Sequence, residues 1–556
     1  MTDVSSELML DAAYEWERNH PDRVYMTQPT GDGQVVDYTW GETMEQARRM
    51  AAYLRSLQLP PGSHIALISK NCAHFVICDL AIWMAGHTTV ALYPTLNAET
   101  VSYILEHSDS RLVFIGKLDD WERMRSGVPA GLPGVALPLA PPTDYPRWDK
   151  VIGQHPPIAD KPSRGADEVA LICYTSGSTG RPKGVMHSFS SCSVPGQHFG
   201  LELGVTATDR ILSYLPLAHV MERAVVECSS FYSGVHIFFT DQLDTFLEDM
   251  QRARPTVFLS VPRLWLKFHS GVLQKFPEKK LQQLLKIPLV NNLVRKKVRA
   301  GLGLAEARIV GSGSAPLPPE LIKWYDGIGL HIIEGYGMSE DFSYSHMSTT
   351  ERRRPGYVGP PWPDVQSRIS DNGEIEIKSP GNMVGYYKEP EMTASSYTQD
   401  GFFRTGDRGE YSADGLLRIT GRVKELFKTS KGKYVAPVPI ENLLNAHGHV
   451  ELSCVAGLGR PAPYAMLQLG EEVRARLQDS ASRQQLTEEL EALLAEVNTA
   501  VEDYEALQFV AVATDEWQVA NDFLTPTLKI KRETIERAYA SFLDEWYASG
   551  KTVIWH

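Results

Sequence analysis

The chain has 556 residues, too many for one hydrophobic core, so two or more domains are expected. Hydrophobic residues make up 43% and charged residues 22%, the balance of a soluble globular protein rather than of a disordered or fibrous one. Net charge is −13, from 55 basic and 68 acidic residues, which excludes nucleic acid as a bulk partner but leaves room for local basic sites that hold phosphorylated ligands.

The opening stretch "MTDVSSELMLDAAYEWERNH" has no basic region followed by an apolar one, so no signal peptide is read there. No apolar run reaches the roughly 18 residues of a transmembrane segment. The six cysteines, Cys72, Cys78, Cys173, Cys192, Cys228 and Cys454, lack metal-ligand spacing and read as reduced thiols of a cytoplasmic protein. In chain order, "SHIALISK", "RLVFIG", "EVALICYT", "PTVFLSV" and "ARIVGSGSA" are apolar runs bounded by turn or polar residues and are predicted as strands. Segments of helical period, such as "CAHFVICDLAIWMAG" and "NAETVSYILEHS", lie between them. This alternation predicts an α/β fold, a large N-terminal domain of helix-covered parallel sheets. The Pro- and Gly-rich stretch from Gly131 to Glu168 reads as a long surface connection.

The stretch "YTSGSTGRPKGV", Tyr174 to Val185, follows the third of these strands directly. Its glycines permit a loop whose N–H groups turn inward, its hydroxyls add donors and Lys183 adds a positive charge, so it reads as a cradle for phosphate. It is not a Walker A loop, because Pro182 precedes Lys183 and Gly184 follows it. Farther along, "KKLQQLLKIPLVNNLVRKKVRAGLGL", Lys279 to Leu304, is basic and partly amphipathic. It reads as a solvated helical face, leaving peripheral contact with a membrane surface open. After residue 422 the character changes: strand-like "VELSCVAGLG" and "PYAMLQLG" precede the amphipathic "QQLTEELEALLAEVNTAVEDYE". The expected boundary falls between Gly421 and Lys424, giving a large main body over residues 1–422 and a small α+β domain over 423–556.

Further islands are "YLPLAHVMER", "SGSAPL", "EGYGMSE", "DGFFRTGD", "GRVKELFKTSKGKY" and "TPTLKIKR". With the phosphate loop they resemble, in order, the motif series of the ANL adenylate-forming superfamily, and the wording "LPLAHVMER", "VPRLW", "FKTSKGKYVAP" and "TPTLKIKR" is most similar to long-chain fatty acyl-CoA synthetases. The resemblance implies ATP, Mg²⁺ and CoA as co-substrates and cofactor. A fatty acid would become an acyl-AMP with loss of pyrophosphate, and CoA would then displace AMP.

Roles follow from the same resemblance. Thr175, Ser176, Gly177, Ser178, Thr179 and Gly180, with Lys183, would hold the β- and γ-phosphates. Gly313, Ser314 and Ala315 would line one side of the adenine and Tyr336 would stack on it, within the motif Glu334, Gly335, Tyr336, Gly337, Met338. Ser339 would touch the α-phosphate, and Glu340 would bind Mg²⁺ together with Thr175. Asp407 and Arg422 would meet the ribose. Lys529 would bridge carboxylate and α-phosphate; Lys531 competes for that role, and the register Lys-Ile-Lys-Arg favours Lys529. The family more often has Gly before this lysine, where Leu528 stands here. His219 would shape the carboxylate site and the thiol route, Lys424 would mark the hinge about which a mobile C-terminal domain rotates, and Lys428, Ser430 and Gly432 would follow the hinge and meet phosphate or pantetheine. Two other readings share these residues: a fatty acyl-AMP ligase serving a carrier protein or other acceptor, and a non-catalytic nucleotide-binding sensor. Neither chain length of the acid nor the choice between monomer and homodimer is legible.

Overall fold

The structure, a computed structural model, describes residues 7–176, 181–475, 477, 480–525 and 528–556, and the side chains of Ser176 and Glu472 lie outside the description. Two large sheets dominate the first four hundred residues. One has eight strands, in the order His346–Met347, Ile332–Tyr336, Ile309–Ser312, Val257–Ser260, Arg210–Ser213, His236–Phe239, Val24–Gly31 and Gln34–Thr39. Its interior pairs are parallel and its two outer strands antiparallel. The other has seven strands, with Gly385–Tyr386, Pro182–Ser188 and Val169–Ser176 at one side and Thr88–Leu92, His64–Ile68, Leu112–Ile115 and Gly134–Ala136 following.

The apolar runs read as strands from sequence all form strands with at least one parallel neighbour, the pairing that helical crossovers permit. Helix Ala73–Met84 is buried on all sides, as its unbroken apolar composition requires of a helix held between layers. Its one carboxylate, Asp79, is answered by the Thr89 hydroxyl at 2.5 Å and the Arg223 guanidinium at 2.8 Å.

Two features depart from the sequence expectation. The stretch from Gly131 to Glu168 is not wholly a surface connection: Gly134–Ala136 adds a short edge strand and Trp148–Gln154 a helix, with Val135 and Trp148 buried. Prolines flank that strand without interrupting it because an edge strand needs ladder bonds on one side only. Residues 366–422 also form a third sheet, Gln366–Ile369, Glu374–Lys378, Phe403–Tyr411 and Leu417–Arg422, antiparallel throughout. Short turns join the first two of these strands and the last two, connections that only antiparallel pairing allows.

Residues 427–555 build separate cores of their own. The mixed sheet Val450–Ala456, Tyr464–Leu469, Val510–Val512 and Val553–Trp555 packs against helices Pro437–Asn445 and Ser480–Ala500, the second burying Leu486, Leu490, Leu493, Leu494 and Val497. The basic stretch forms helices Glu278–Leu285 and Val290–Gly301, which bury Leu281 and Val298 and leave Leu289 and Leu293 exposed. Among the described residues no helix is long and apolar enough to cross a membrane.

Candidate active site

The islands converge where the parallel strands end, the position at which open α/β sheets present loops to ligands. The strand Ile309–Ser312 delivers Gly313, Ser314 and Ala315, and its neighbour Ile332–Tyr336 delivers the segment through Glu340. The backbones come close here: a Cβ on Gly313 would stand 3.4 Å from the Gly335 carbonyl. On Gly337 it would lie 2.6 Å from Ser343 Cα, so no side chain fits. Ser314 takes φ +68° and donates to Met221 Sδ at 3.5 Å.

The strands on either side of the phosphate stretch are antiparallel partners. Strand Val169–Ser176 pairs with Pro182–Ser188 so that Thr175 stands opposite Lys183. Gly177, Ser178, Thr179 and Gly180 lie outside the described residues. The Lys183 ammonium sits 5.4 Å from the centre of the Tyr386 ring, and the Tyr386 hydroxyl donates to Glu340 Oε1 at 2.8 Å. Sequence reasoning missed Tyr386. Its signal is purely tertiary, since the short strand Gly385–Tyr386 reaches Lys183 only by pairing with Pro182–Ser188.

His187 was missed for the same reason. It is fully buried, donates through Nε2 to the Ser339 carbonyl at 2.7 Å, and is kept neutral by burial, which pushes its pKa down to about 4. The hairpin that carries Lys183 is thereby tied to the turn that carries Glu340. Asp341, beside it, is pushed up to about 8 by burial and by Glu340, and its Oδ1 accepts the Met338 N–H at 2.8 Å. Glu334 accepts from the Gly356 N–H at 3.2 Å, and burial raises it to about 7.

Asp407 and Arg422 are register partners in the antiparallel sheet. Asp407 accepts Arg422 Nε at 2.9 Å on one oxygen and the Tyr336 hydroxyl at 2.8 Å on the other. Each carboxylate oxygen retains a second lone pair, so the group can still accept from a diol. Burial and the Asp407 charge hold the Tyr336 phenol well above its ordinary pKa, so it stays a donor. Asp407 in turn raises Arg422.

Lys529 arrives in this cleft from the tail. It retains accessible surface, yet protein surrounds it closely enough that desolvation, then Arg422, lowers its pKa against the pull of Asp407, Glu340 and Glu425. A cleft-lining side chain combines both properties. His219 belongs to the same group: burial first and Lys529 second push its pKa down to about 4. Lys531, the competing lysine, is instead paired with Asp522. The loop that presents Lys529 is closed by the bridge between Leu524 and Ile530 and by the Lys529 N–H on Thr525 Oγ1 at 3.1 Å. Leu528 holds φ +60°, the conformation glycine supplies at lower cost, at about 1–2 kcal/mol of strain. A further contact between tail and main body, Arg263 with Glu451, supports this placement.

The other hinge-side residues make their contacts within the tail. Lys428 lies 5.4 Å over the Tyr434 ring, the Ser430 N–H meets the Arg460 carbonyl at 2.9 Å, and Gly432 turns the hairpin with φ +79°. Lys424 sits between Val423, whose N–H reaches the Gly406 carbonyl at 2.8 Å, and Glu425, which Arg532 holds at 3.5 Å.

Residues 13–387 match the model of the AMP-binding enzyme family, and residues 425–551 match that of the AMP-binding enzyme C-terminal domain. Among curated proteins, the chain is 30% identical to the long-chain-fatty-acid–CoA ligase FadD15 of Mycobacterium bovis over 96% of both chains. It is 28% identical to long chain acyl-CoA synthetase 4 of Arabidopsis thaliana over 93% of this chain and 87% of that one. Among solved structures, the A-PCP didomain of carboxylic acid reductase from Segniliparus rugosus in complex with AMP has a TM-score of 0.81 at 22% identity, covering 98% of this chain and 82% of that chain. The anthranilate CoA ligase AuaEII has a TM-score of 0.78 at 20% identity, covering 97% of this chain and 98% of that chain. The fold, the ordered motifs and these matches agree: the chain belongs to the AMP-binding, adenylate-forming enzyme family.

Proposed function

We propose that this chain is an ATP-dependent ligase that joins a long- or medium-chain fatty acid to CoA through a bound acyl-adenylate, releasing pyrophosphate and then AMP. The observation that carries the reading is Lys529, brought from the tail beside Asp407, Arg422, Glu340 and His219 of the main body. The long-chain fatty acid ligases among its relatives supply the substrate class.

In the first half-reaction a carboxylate oxygen attacks the α-phosphorus and pyrophosphate leaves. Two anions must be brought together, so positioning and charge neutralisation supply most of the rate. Lys529 sits where negative charge gathers on both the attacking oxygen and the phosphoryl group. Tyr336, Asp407 and Arg422 fix the nucleoside, while Lys183 and the phosphate hairpin hold the leaving pyrophosphate. In the second half-reaction the CoA thiol attacks the acyl carbonyl and AMP leaves. Rotation of residues 423–556 about Lys424 would withdraw Lys529 and open the thiol route, a gating motion of the kind lids perform.

Mg²⁺ fits the donors present. The described residues contain no cluster of three or more metal-ligating side chains, whereas Mg²⁺ favours one carboxylate completed by phosphates and water. Glu340, oriented by Tyr386, and Thr175 would hold it, and it would neutralise phosphate charge. Tyr386→Phe should therefore raise the Mg²⁺ concentration for half-maximal activity by about 10-fold. Mn²⁺ binding followed by electron paramagnetic resonance should show the same weakening.

The test of the whole reading is acid-dependent ATP–pyrophosphate exchange without CoA, followed by thioester and AMP release when CoA is added, across a panel of carboxylic acids. Exchange absent with every acid would overturn it. The pH profile has a defined sign. Because the Lys529 pKa is lowered, its ammonium is lost at a lower pH than that of a free lysine. The kcat/KM for exchange, which reports the free enzyme, should fall on a basic limb below the ordinary lysine range.

A further inference from the structure

His219 is held in place by groups that no motif assigns. The segment between Ser213 and Val220 has no regular structure, yet buried side chains strap its backbone from two directions. Asn71, between strand His64–Ile68 and helix Ala73–Met84, donates through Nδ2 to the Leu215 carbonyl at 2.6 Å and accepts the Leu217 N–H through Oδ1 at 3.0 Å. Glu222 Oε1 collects three donors: the Ser213 hydroxyl at 2.7 Å, the Tyr214 N–H at 3.0 Å and Asn71 Nδ2 at 3.2 Å. Arg223 Nε donates to the Leu217 carbonyl at 3.0 Å. Asn71 is 6% exposed, Glu222 3% and Arg223 0%. A loop left to solvent would sample many conformations; this one is bonded almost residue by residue to the core.

The ring of His219 is fixed as well. The His219 backbone N–H reaches the Pro216 carbonyl at 2.8 Å, and the ring Nδ1 accepts the Met221 N–H at 3.2 Å. A nitrogen that accepts an amide proton carries none itself, so the neutral ring bears its proton on Nε2. Burial and Lys529 keep the ring neutral. Among the described residues Nε2 has no protein partner.

We propose that Asn71 and Glu222 are positioning residues that fix the 214–219 loop so that His219 presents an Nε2–H donor to the substrate carboxylate. The inference rests on the adenylation reading of the cleft. It makes His219 a hydrogen-bond donor rather than a base, because Nε2 keeps its proton and Nδ1 is already occupied. Carboxylate charge is then shared between this donor and the Lys529 ammonium.

Two amides separate the two nitrogens. A glutamine places its N–H₂ near the position of Nε2, whereas an asparagine places a cap acceptor near Nδ1 and no donor near Nε2. His219→Gln should keep acid-dependent exchange at least about 10-fold above His219→Asn, with the KM for ATP unchanged in both. Nuclear magnetic resonance of ¹⁵N-histidine-labelled protein should report the Nε2–H tautomer for His219. Glu222→Gln, which preserves the acceptor, should retain that signature, and Glu222→Leu should mix the tautomers. An Nδ1–H tautomer, or equal exchange in the glutamine and asparagine variants, overturns the proposal. Should Glu222→Leu not fold, the His219 pair and the tautomer of the parent protein still decide. Loss of exchange in Lys529→Ala alongside equal His219 variants fails this inference alone, whereas exchange unaffected in Lys529→Ala fails the adenylation reading itself.

Discussion

Replacing Lys529 by alanine is expected to lower acid-dependent ATP–pyrophosphate exchange by roughly 100- to 1,000-fold, the cost of removing a preorganised charge from a developing anion. Thioester formation from supplied acyl-adenylate and CoA should fall far less. The asymmetry follows from geometry. In the arrangement seen here Lys529 lies within the electrostatic reach of Arg422, Asp407 and Glu340, the groups assigned to the nucleotide. Only the first half-reaction needs a cation between carboxylate and α-phosphate. Once the adenylate exists, the leaving group is AMP and the incoming group a thiol, and the tail must turn away to admit it. Both half-reactions measured on one preparation provide the check. Equal loss in both would mean that Lys529 holds the domains together rather than serving adenylation.

The second large effect concerns stability. Arg223, Asp79 and Glu227 are each fully buried, with Arg223 Nη1 at 2.8 Å from Asp79 Oδ2 and 3.0 Å from Glu227 Oε2. Burial and the Asp79 charge raise the Glu227 pKa well above its ordinary value, so a single cation serves two closely coupled carboxyl groups. Arg223→Met removes the cation and strands Asp79 in the core, which should cost about 3–5 kcal/mol. The added change Asp79→Asn should recover part of that loss, because it removes the stranded charge rather than a contact. The deficit of Arg223→Met should also shrink as pH falls, since protonating the stranded carboxyl neutralises it. Denaturant unfolding resolves these differences, provided the transition of the main body is followed separately from that of the tail. A loss below about 1 kcal/mol, the size of an exposed ion pair, would show that water reaches the cluster.

These two residues also mark what could be read without coordinates. Lys529 was legible because its neighbours "TLKIKR" carry the family's wording, even though Leu528 stands where glycine is usual. In the structure Leu528 itself adopts the positive φ that glycine would take more cheaply. Arg223 was quoted in "YLPLAHVMER" yet not assigned, because nothing in a single sequence pairs it with Asp79, 144 positions earlier. Tyr386 and His187 escaped for the same reason. Each acts through one hydrogen bond to a residue distant in sequence, Glu340 and Ser339 respectively. The antiparallel third sheet was also unread, since its strands are short and polar enough to pass for loops.

By itself the sequence determined the strands of the parallel sheets, the expectation of a phosphate cradle at Tyr174 to Val185, and the family with its candidate residues. All of these depend on local composition, spacing and motif order, which survive without any knowledge of packing. Only the tertiary structure decided that the strands flanking the glycine-rich stretch pair antiparallel, that Glu340 is oriented by Tyr386, and that Lys529 enters the cleft beside His219 while Lys531 turns to Asp522. Those outcomes depend on contacts closed across long stretches of chain. Their free energy comes from burial and hydrogen-bond partners that a linear pattern does not encode.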